Sequence, residues 1–175
     1  MIYYNIGDVI IRTMCEDDPE IIHAQNLSNG WHSKLDTYTG YFRKQGEGTL
    51  CVFVAECGGE FAGYTTMRSQ AAGGAFANMG IPEISDFNVF AKYRRRGIGT
   101  AILAAAEAMA GTLGDTVCLG VGLHKGYGAA QRLYIKRGYV PDGSGVWYED
   151  RRLEEGAQCR NDDGLILYLS KKLRA

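Results

Sequence analysis

Apolar positions along the chain fall into short strand-like runs and longer stretches with helical spacing. Val9–Arg12 is the first strand-like run. Asp18-Pro19-Glu20 then supplies an N-cap, a first-turn proline and an acid near the positive end of a helix that runs toward Leu27. Leu35–Lys44 reads as a weaker helix, closed by the Gly46–Gly48 segment. Thr49–Glu56 and Glu60–Arg68 are strands joined at Cys57-Gly58-Gly59, which makes them a hairpin. Ala71–Gly80, rich in glycine and alanine, is a loop. Glu83–Phe90 is the next strand, and it leads through a basic turn into a helix over Gly97–Ala110 that Gly111 or Gly114 can stop. Thr116–Gly122 is a strand with Val117, Leu119 and Val121 on one face. A helix from about Tyr127 to Arg137 ends at Gly138. A short strand near Val146–Tyr148, a polar stretch to Asp163 and a strand over Leu165–Leu169 close the chain.

Strands outnumber helices, and the middle alternates strand, helix, strand, helix. This order predicts an α/β (α+β) fold, a mixed sheet with helices packed on it. No internal repeat or low-complexity segment interrupts it. At 175 residues, 46% hydrophobic and 22% charged, the chain suits one domain, 1–175, with a single sizeable core.

A net charge of -1 gives no general electrostatic case for nucleic acid or a membrane surface as partner. No apolar run approaches the roughly 20 residues that span a bilayer. Met1–Asp8 has neither the basic segment nor the apolar core of a secretion signal. The five cysteines are odd in number and contain no CxxC pair, which predicts reduced thiols, a cytoplasmic setting and no metal.

The strongest chemical signal is Arg94-Arg95-Arg96-Gly97-Ile98-Gly99-Thr100, between a strand and a helix. Gly97 and Gly99 allow a tight backbone curl and leave room for a close ligand. The turn delivers N–H groups to a helix N-terminus, where partial positive charge favours an anion. Arginine guanidiniums beside it match phosphate oxygens. The spacing lacks the Lys-Ser/Thr ending of a nucleotide P-loop, and Ile102 stands where GxGxxG needs glycine. The segment is a candidate diphosphate cradle; a solvated basic turn in which the glycines only cap structure is the alternative. Ile98, Ile102, Ala105 and Met109 give the following helix an apolar face that can hold its N-terminus in place.

Arg94-x-x-Gly97-x-Gly99 resembles the R/Q-x-x-G-x-G/A signature of the GNAT superfamily of N-acetyltransferases. A second stretch, Ala130-Gln131-Arg132-Leu133-Tyr134-Ile135-Lys136-Arg137-Gly138-Tyr139, is similar to that family's A-x-x-L-Y-x-x-x-G-F/Y run. The resemblance covers Ile84–Tyr139 firmly and weakens beyond Gly143. Tyr127 departs from it, standing where many members carry asparagine. The resemblance implies a mostly antiparallel sheet of six to seven strands with about four helices, splayed between Glu83–Phe90 and Thr116–Gly122. It implies acetyl-CoA as co-substrate, with backbone groups of Phe87 and Val89 pairing with the pantetheine arm like an added strand. The diphosphate would sit on the amides of Arg95, Arg96, Gly97, Ile98, Gly99 and Thr100, with Arg94 nearby.

An alkyl amine near pH 7 is mostly protonated, and only the neutral amine attacks a thioester. The site therefore needs a proton acceptor, donors for the oxyanion and a proton for the departing thiolate. Tyr134 falls on the family tyrosine and is the candidate for the last role; a core tyrosine at a helical apolar position is the other reading. Glu83 occupies the place of a glutamate in the histone-acetylating branch and is the first candidate base, or else a solvent-facing strand-end carboxylate. Asp86 lies three positions on, so regular alternation puts it on the opposite face and the two carboxylates do not pair. His124 is the second candidate base, since an imidazole exchanges a proton near neutral pH. The Val89 N–H is the family-style oxyanion donor, and direct attack in a ternary complex needs no covalent intermediate.

Acceptor binding is expected from the aromatic residues Trp31, Tyr38 and Trp147, with Tyr41, Tyr148 and acids such as Asp142, Glu149 and Asp150 suited to a cationic amine. The same aromatics also read as core or interface. Family resemblance makes a homodimer an expectation. Two functions follow: acetylation of a primary amine on a small molecule or peptide, or a non-catalytic acyl-CoA-binding module. Tyr134 separates them in favour of the enzyme.

Overall fold

The computed structural model describes residues 1–173. They form nine strands: β1 (Ile2–Ile6), β2 (Val9–Thr13), β3 (Cys51–Cys57), β4 (Glu60–Arg68), β5 (Glu83–Val89), β6 (Thr116–Gly122), β7 (Val140–Tyr148), β8 (Arg151–Arg152) and β9 (Leu165–Lys172). The helices are α1 (Asp18–Ser28), α2 (Leu35–Gly46), α3 (Ile98–Leu113) and α4 (Gly128–Lys136). The sheet is mostly antiparallel, in the order β1-β2-β3-β4-β5-β6-β9-β7-β8. Its α/β, GNAT-like architecture is the one the sequence predicts, with two more strands than the upper expectation. No helix among the described residues is long and apolar enough to cross a membrane.

The chain divides into two compact units, one made of Met1–Met67 with Asp86–Ala106, the other of Arg68–Ser85 with the chain from Glu107 on. In the first, β1 pairs with β2 across a turn at Gly7, whose φ of 60° suits a tight hairpin. β1 was not predicted. Its residues, IYYNI, are largely exposed and carry no clean alternation. β2, β3 and β4 continue antiparallel. Val52, Phe53, Val54 and Ala55 are all fully buried, so both faces of β3 are covered, which explains its unbroken apolar run.

The start of α1 differs from the prediction: Asp17 is the N-cap, without a side-chain cap bond. Asp18 instead turns inward. It accepts two hydrogen bonds from Arg12, at 2.6 and 2.9 Å, and a third from the Cys15 N–H at 2.6 Å. Arg12 also reaches Glu56 at 2.7 Å, so one guanidinium ties α1 to β2 and β3. This arrangement satisfies a carboxylate that is 1% exposed.

In the second unit, β5 opens parallel to β6, with Glu83 opposite Cys118 and Ile84 opposite Leu119. β6, β9 and β7 follow antiparallel. β7 is six residues longer at its start than Val146–Tyr148, because the ladder slips between Pro141 and Val146 and loops out Asp142–Gly145. Gly111 does not stop α3, which runs on to Leu113 before Gly114. Glu107 on α3 accepts from Arg137 at 2.8 and 2.5 Å and from Lys171 of β9 at 2.6 Å.

Candidate active site

Past the end of β5, a short 3₁₀ turn at Ala91–Tyr93 brings the chain to the basic turn. Arg94 folds back, and its Nε donates to the Val89 carbonyl at 2.9 Å. Arg95 and Gly97 both take left-handed conformations, with φ of 62° and 79°. A Cβ at Gly97 would meet nothing within 4 Å, so glycine is needed there for its φ and not for space. Helical bonding begins with Ala101 N–H to the Gly97 carbonyl at 3.0 Å. The amides of Ile98, Gly99 and Thr100 therefore lie in the first turn, ahead of any helical carbonyl partner. Left-handed residues alternating with right-handed ones curl successive N–H groups into an anion-binding concavity. The 16-residue α3 adds its positive end. Arg94, Arg95 and Arg96 are exposed around this turn, and the Arg96 guanidinium lies 5.9 Å from the ring centre of the buried Tyr93. All the predicted diphosphate-binding residues thus converge.

Asp86 interrupts β5. Its φ of 47° places a non-glycine residue in the left-handed region in mid-strand, a local break in the pleat like that of a bulge. Regular alternation consequently does not carry from Glu83 through Asp86. The Asp86 carboxylate accepts from Tyr41 at 3.0 Å and from Tyr64 at 3.3 Å. Asp86 is exposed as a residue, while protein packed around its carboxylate partly desolvates it. That burial pushes its carboxyl above the usual aspartate range, and the two phenols draw it part of the way back. Gly63 of β4 lets the strand after the bulge come close: a Cβ there would lie 2.4 Å from the Asn88 carbonyl oxygen.

Of the predicted acceptor residues, Tyr38 is buried in this cluster. Its ring stands edge-on to Tyr41 and Tyr64, at 6.0 and 6.1 Å, and its hydroxyl accepts from Asn26 at 2.7 Å. Trp31 is exposed in the turn after α1. Sequence reasoning passed over Asp86 as a site residue. The available signal was a carboxylate inside an otherwise strand-like run.

The remaining candidates lie in the second unit. Glu83 is largely buried, which raises its carboxyl, while the Ala72 N–H and the Arg68 guanidinium at 3.7 Å pull it down. Trp147 and Glu83 both neighbour Tyr168. The Trp147 ring is 5.5 Å away and edge-on, and the Tyr168 hydroxyl, pushed up to about 12 by burial with Asp150 and Glu83 adding to it, donates to Asp150 at 3.4 Å. Tyr134 is buried in α4, its ring 5.8 Å from Tyr139. Burial keeps its phenol neutral, hence a donor. Cys118, pushed up to about 12 by burial and by Glu83, is a packed thiol and not a nucleophile.

Both ring nitrogens of His124 are engaged. Nδ1 accepts from the Gly126 N–H at 3.0 Å, which leaves Nε2 to donate to Asp163 at 2.9 Å. Tyr127 donates to the same Asp163 oxygen at 3.0 Å, and its ring packs against Gly122. A Cβ at Gly122 would sit 2.3 Å from that ring. We expect Gly122→Ala to lower stability by about 1–3 kcal/mol in thermal melts. Adding Tyr127→Asn should restore most of the loss, and additive effects would contradict the contact.

Comparison with known proteins gives the family and the fold. Residues 48–141 match a family model described as an acetyltransferase (GNAT) domain, more than half of the chain. The protein belongs to the GNAT acetyltransferase family. No curated protein matches the sequence. Several solved structures share the fold. YncA of Salmonella typhimurium, solved with its cofactor acetyl-CoA, is 17% identical with a TM-score of 0.67, covering 96% of this chain and 95% of its own. The Salmonella typhimurium acetyltransferase that modifies the N-terminal serine of ribosomal protein L7/L12 is 11% identical, TM-score 0.73, with 98% and 99% covered. A spermidine N-acetyltransferase chimera from Vibrio cholerae and human sequences is 14% identical, TM-score 0.68, with 95% and 96% covered.

Proposed function

We propose that this protein moves an acetyl group from acetyl-CoA to a primary amine by direct attack in a ternary complex. The observation that carries the reading is the Arg94–Thr100 turn, where left-handed Arg95 and Gly97 curl amides onto the start of a long helix among three arginines. Such a turn suits the paired phosphates of CoA. The acetyl-CoA complex of YncA supports the same donor, and the acetyltransferase that modifies an N-terminal serine and the spermidine N-acetyltransferase chimera support an amine acceptor.

In this reading the amides of Arg95–Thr100 hold the diphosphate. Backbone groups of Phe87 and Val89 pair with the pantetheine arm, and the Val89 N–H donates to the oxyanion. The Tyr134 hydroxyl protonates the departing thiolate. Attack by the neutral amine forms the C–N bond, and collapse breaks C–S. The proton lost by the acylated nitrogen balances the one taken up by sulfur.

The test is thiol release from acetyl-CoA over a panel of primary amines: alkylamines, polyamines and peptides with free N-termini. Acetylation of at least one amine, with CoA released in equal amount, is expected. Tight acetyl-CoA binding with no transfer to any amine would instead make the protein an acyl-CoA-binding module.

A further inference from the structure

Three side chains are positioned in sequence or structure to take a proton from an acceptor amine, and they differ in what already satisfies them. Glu83 has a cation, Arg68, at 3.7 Å. His124 has both nitrogens committed, one to a backbone N–H and one to Asp163. Asp86 meets only two neutral phenols. Among the described residues no basic side chain lies within 4.0 Å of it, and the titratable groups that face it are Tyr41 of α2 and Tyr64 of β4, with Tyr38 behind them. Burial pushes the Tyr64 phenol up, so it stays neutral.

A carboxylate has about four lone-pair positions, and here two are used. The rest are free for a donor, and a partly desolvated carboxylate without a counter-ion attracts a cation. The bulge also has a cost. A non-glycine residue in the left-handed region of a strand is strained, and such positions gather where a side chain must be re-aimed. Asp86 immediately precedes Phe87 and stands three residues before Val89. An arm entering from the Arg94–Thr100 turn and pairing first with Val89, then with Phe87, brings its thioester end to the bulge.

We propose that Asp86 receives the ammonium of a cationic aliphatic amine and accepts its proton, with Tyr41 and Tyr64 as the positioning residues. This rests on the acetyltransferase reading above. One N–H bond of the ammonium breaks and one O–H bond forms on Asp86. The freed lone pair attacks the thioester carbon, C–S breaks, the second proton lost by nitrogen balances the one taken up by the thiolate, and the proton on Asp86 leaves to solvent after product departs. Tyr41 and Tyr64 remain neutral throughout and only orient and stabilise the carboxylate.

The pH dependence has a definite sign. The rate is carried by the ionised carboxylate, so it falls as pH drops through the Asp86 pKa, which burial sets above the ordinary aspartate value. We would measure kcat against pH with a saturating alkylamine, together with acetyl-CoA affinity by calorimetry. Asparagine tolerates a left-handed φ, so Asp86→Asn keeps the bulge. The expected result is a loss of about 10²-fold or more in kcat at neutral pH, disappearance of the acidic limb and unchanged acetyl-CoA affinity. Tyr41→Phe should stay active but move the limb to higher pH, because one donor to the carboxylate is gone. An acidic limb that survives Asp86→Asn, or one that does not move in Tyr41→Phe, overturns the proposal. If wild-type protein bound no acetyl-CoA, the acetyltransferase reading itself would fail; normal binding with an unaltered Asp86→Asn profile removes Asp86 alone.

Discussion

Tyr134→Phe is expected to lower kcat by about 10²-fold or more while acetyl-CoA affinity changes by less than about twofold. The substitution removes one hydroxyl and keeps the ring, which packs 5.8 Å from Tyr139 in a site 5% exposed. Because burial raises the Tyr134 phenol, it is protonated at every pH where the enzyme would work, and a neutral phenol is a donor to developing thiolate. Interactions made only as sulfur departs appear in kcat and not in binding. Steady-state kinetics paired with calorimetry separates the two. A variant with wild-type turnover would take Tyr134 out of the chemistry and leave it a core tyrosine.

Glu107→Ala carries the largest expected effect on stability, a loss of about 3–5 kcal/mol, because it leaves Arg137 and Lys171 as partly buried cations without their partner. For a chain of this length that corresponds to roughly 10 °C or more in melting temperature. Burial alone would raise the Glu107 carboxyl, but Arg137 and Lys171 outweigh it and hold it below the usual glutamate range. A depressed folded-state pKa gives stability that is fully present above the unfolded value, near 4.3, and that is lost as pH falls through the folded value. The wild type should therefore lead Glu107→Gln by a constant margin above about pH 5 and lose that lead in more acid solution. Melts that tracked each other at every pH would show the charge to be idle. Arg137 is the last residue before Gly138 in the Ala130–Tyr139 run, so part of that signature serves to lock α4 and β9 to α3.

How much of this could be read from the chain depended on the range of the interactions. The cradle was legible because Gly97, Gly99 and the arginines act within seven residues, and their conformations are encoded locally. The strands from β2 to β6 were legible from apolar runs. β1 was missed because its apolar residues, Ile2 and Ile6, are exposed and its half-buried positions, Tyr3 and Tyr4, are adjacent, so no alternation marks it. The start of β7 carries no strand assignment from sequence because Asp142–Gly145 leaves the ladder, while Val140 and Pro141 still pair with β9. The helix start at Asp18 was assigned by local capping rules, whereas a contact with Arg12 decided its side chain.

The candidate site shows the same division. Period-two alternation set Asp86 apart from Glu83, but alternation has no means of announcing a residue at φ 47°. Its partners, Tyr41 and Tyr64, come from 45 and 22 positions away, distances that no local pattern spans. His124 looked available because its partner Asp163 lies 39 residues on, in a stretch that read only as polar.

Calorimetric titration of CoA into wild-type protein and into Gly97→Val tests the central claim most directly. A β-branched side chain cannot hold a φ of 79° without strain, while nothing crowds the position in space, so the substitution acts on the curl of the turn alone. The account predicts one-to-one binding that weakens with added salt, and affinity reduced about tenfold or more in the variant. Absence of binding to the wild type, or equal affinity in both proteins, would contradict it.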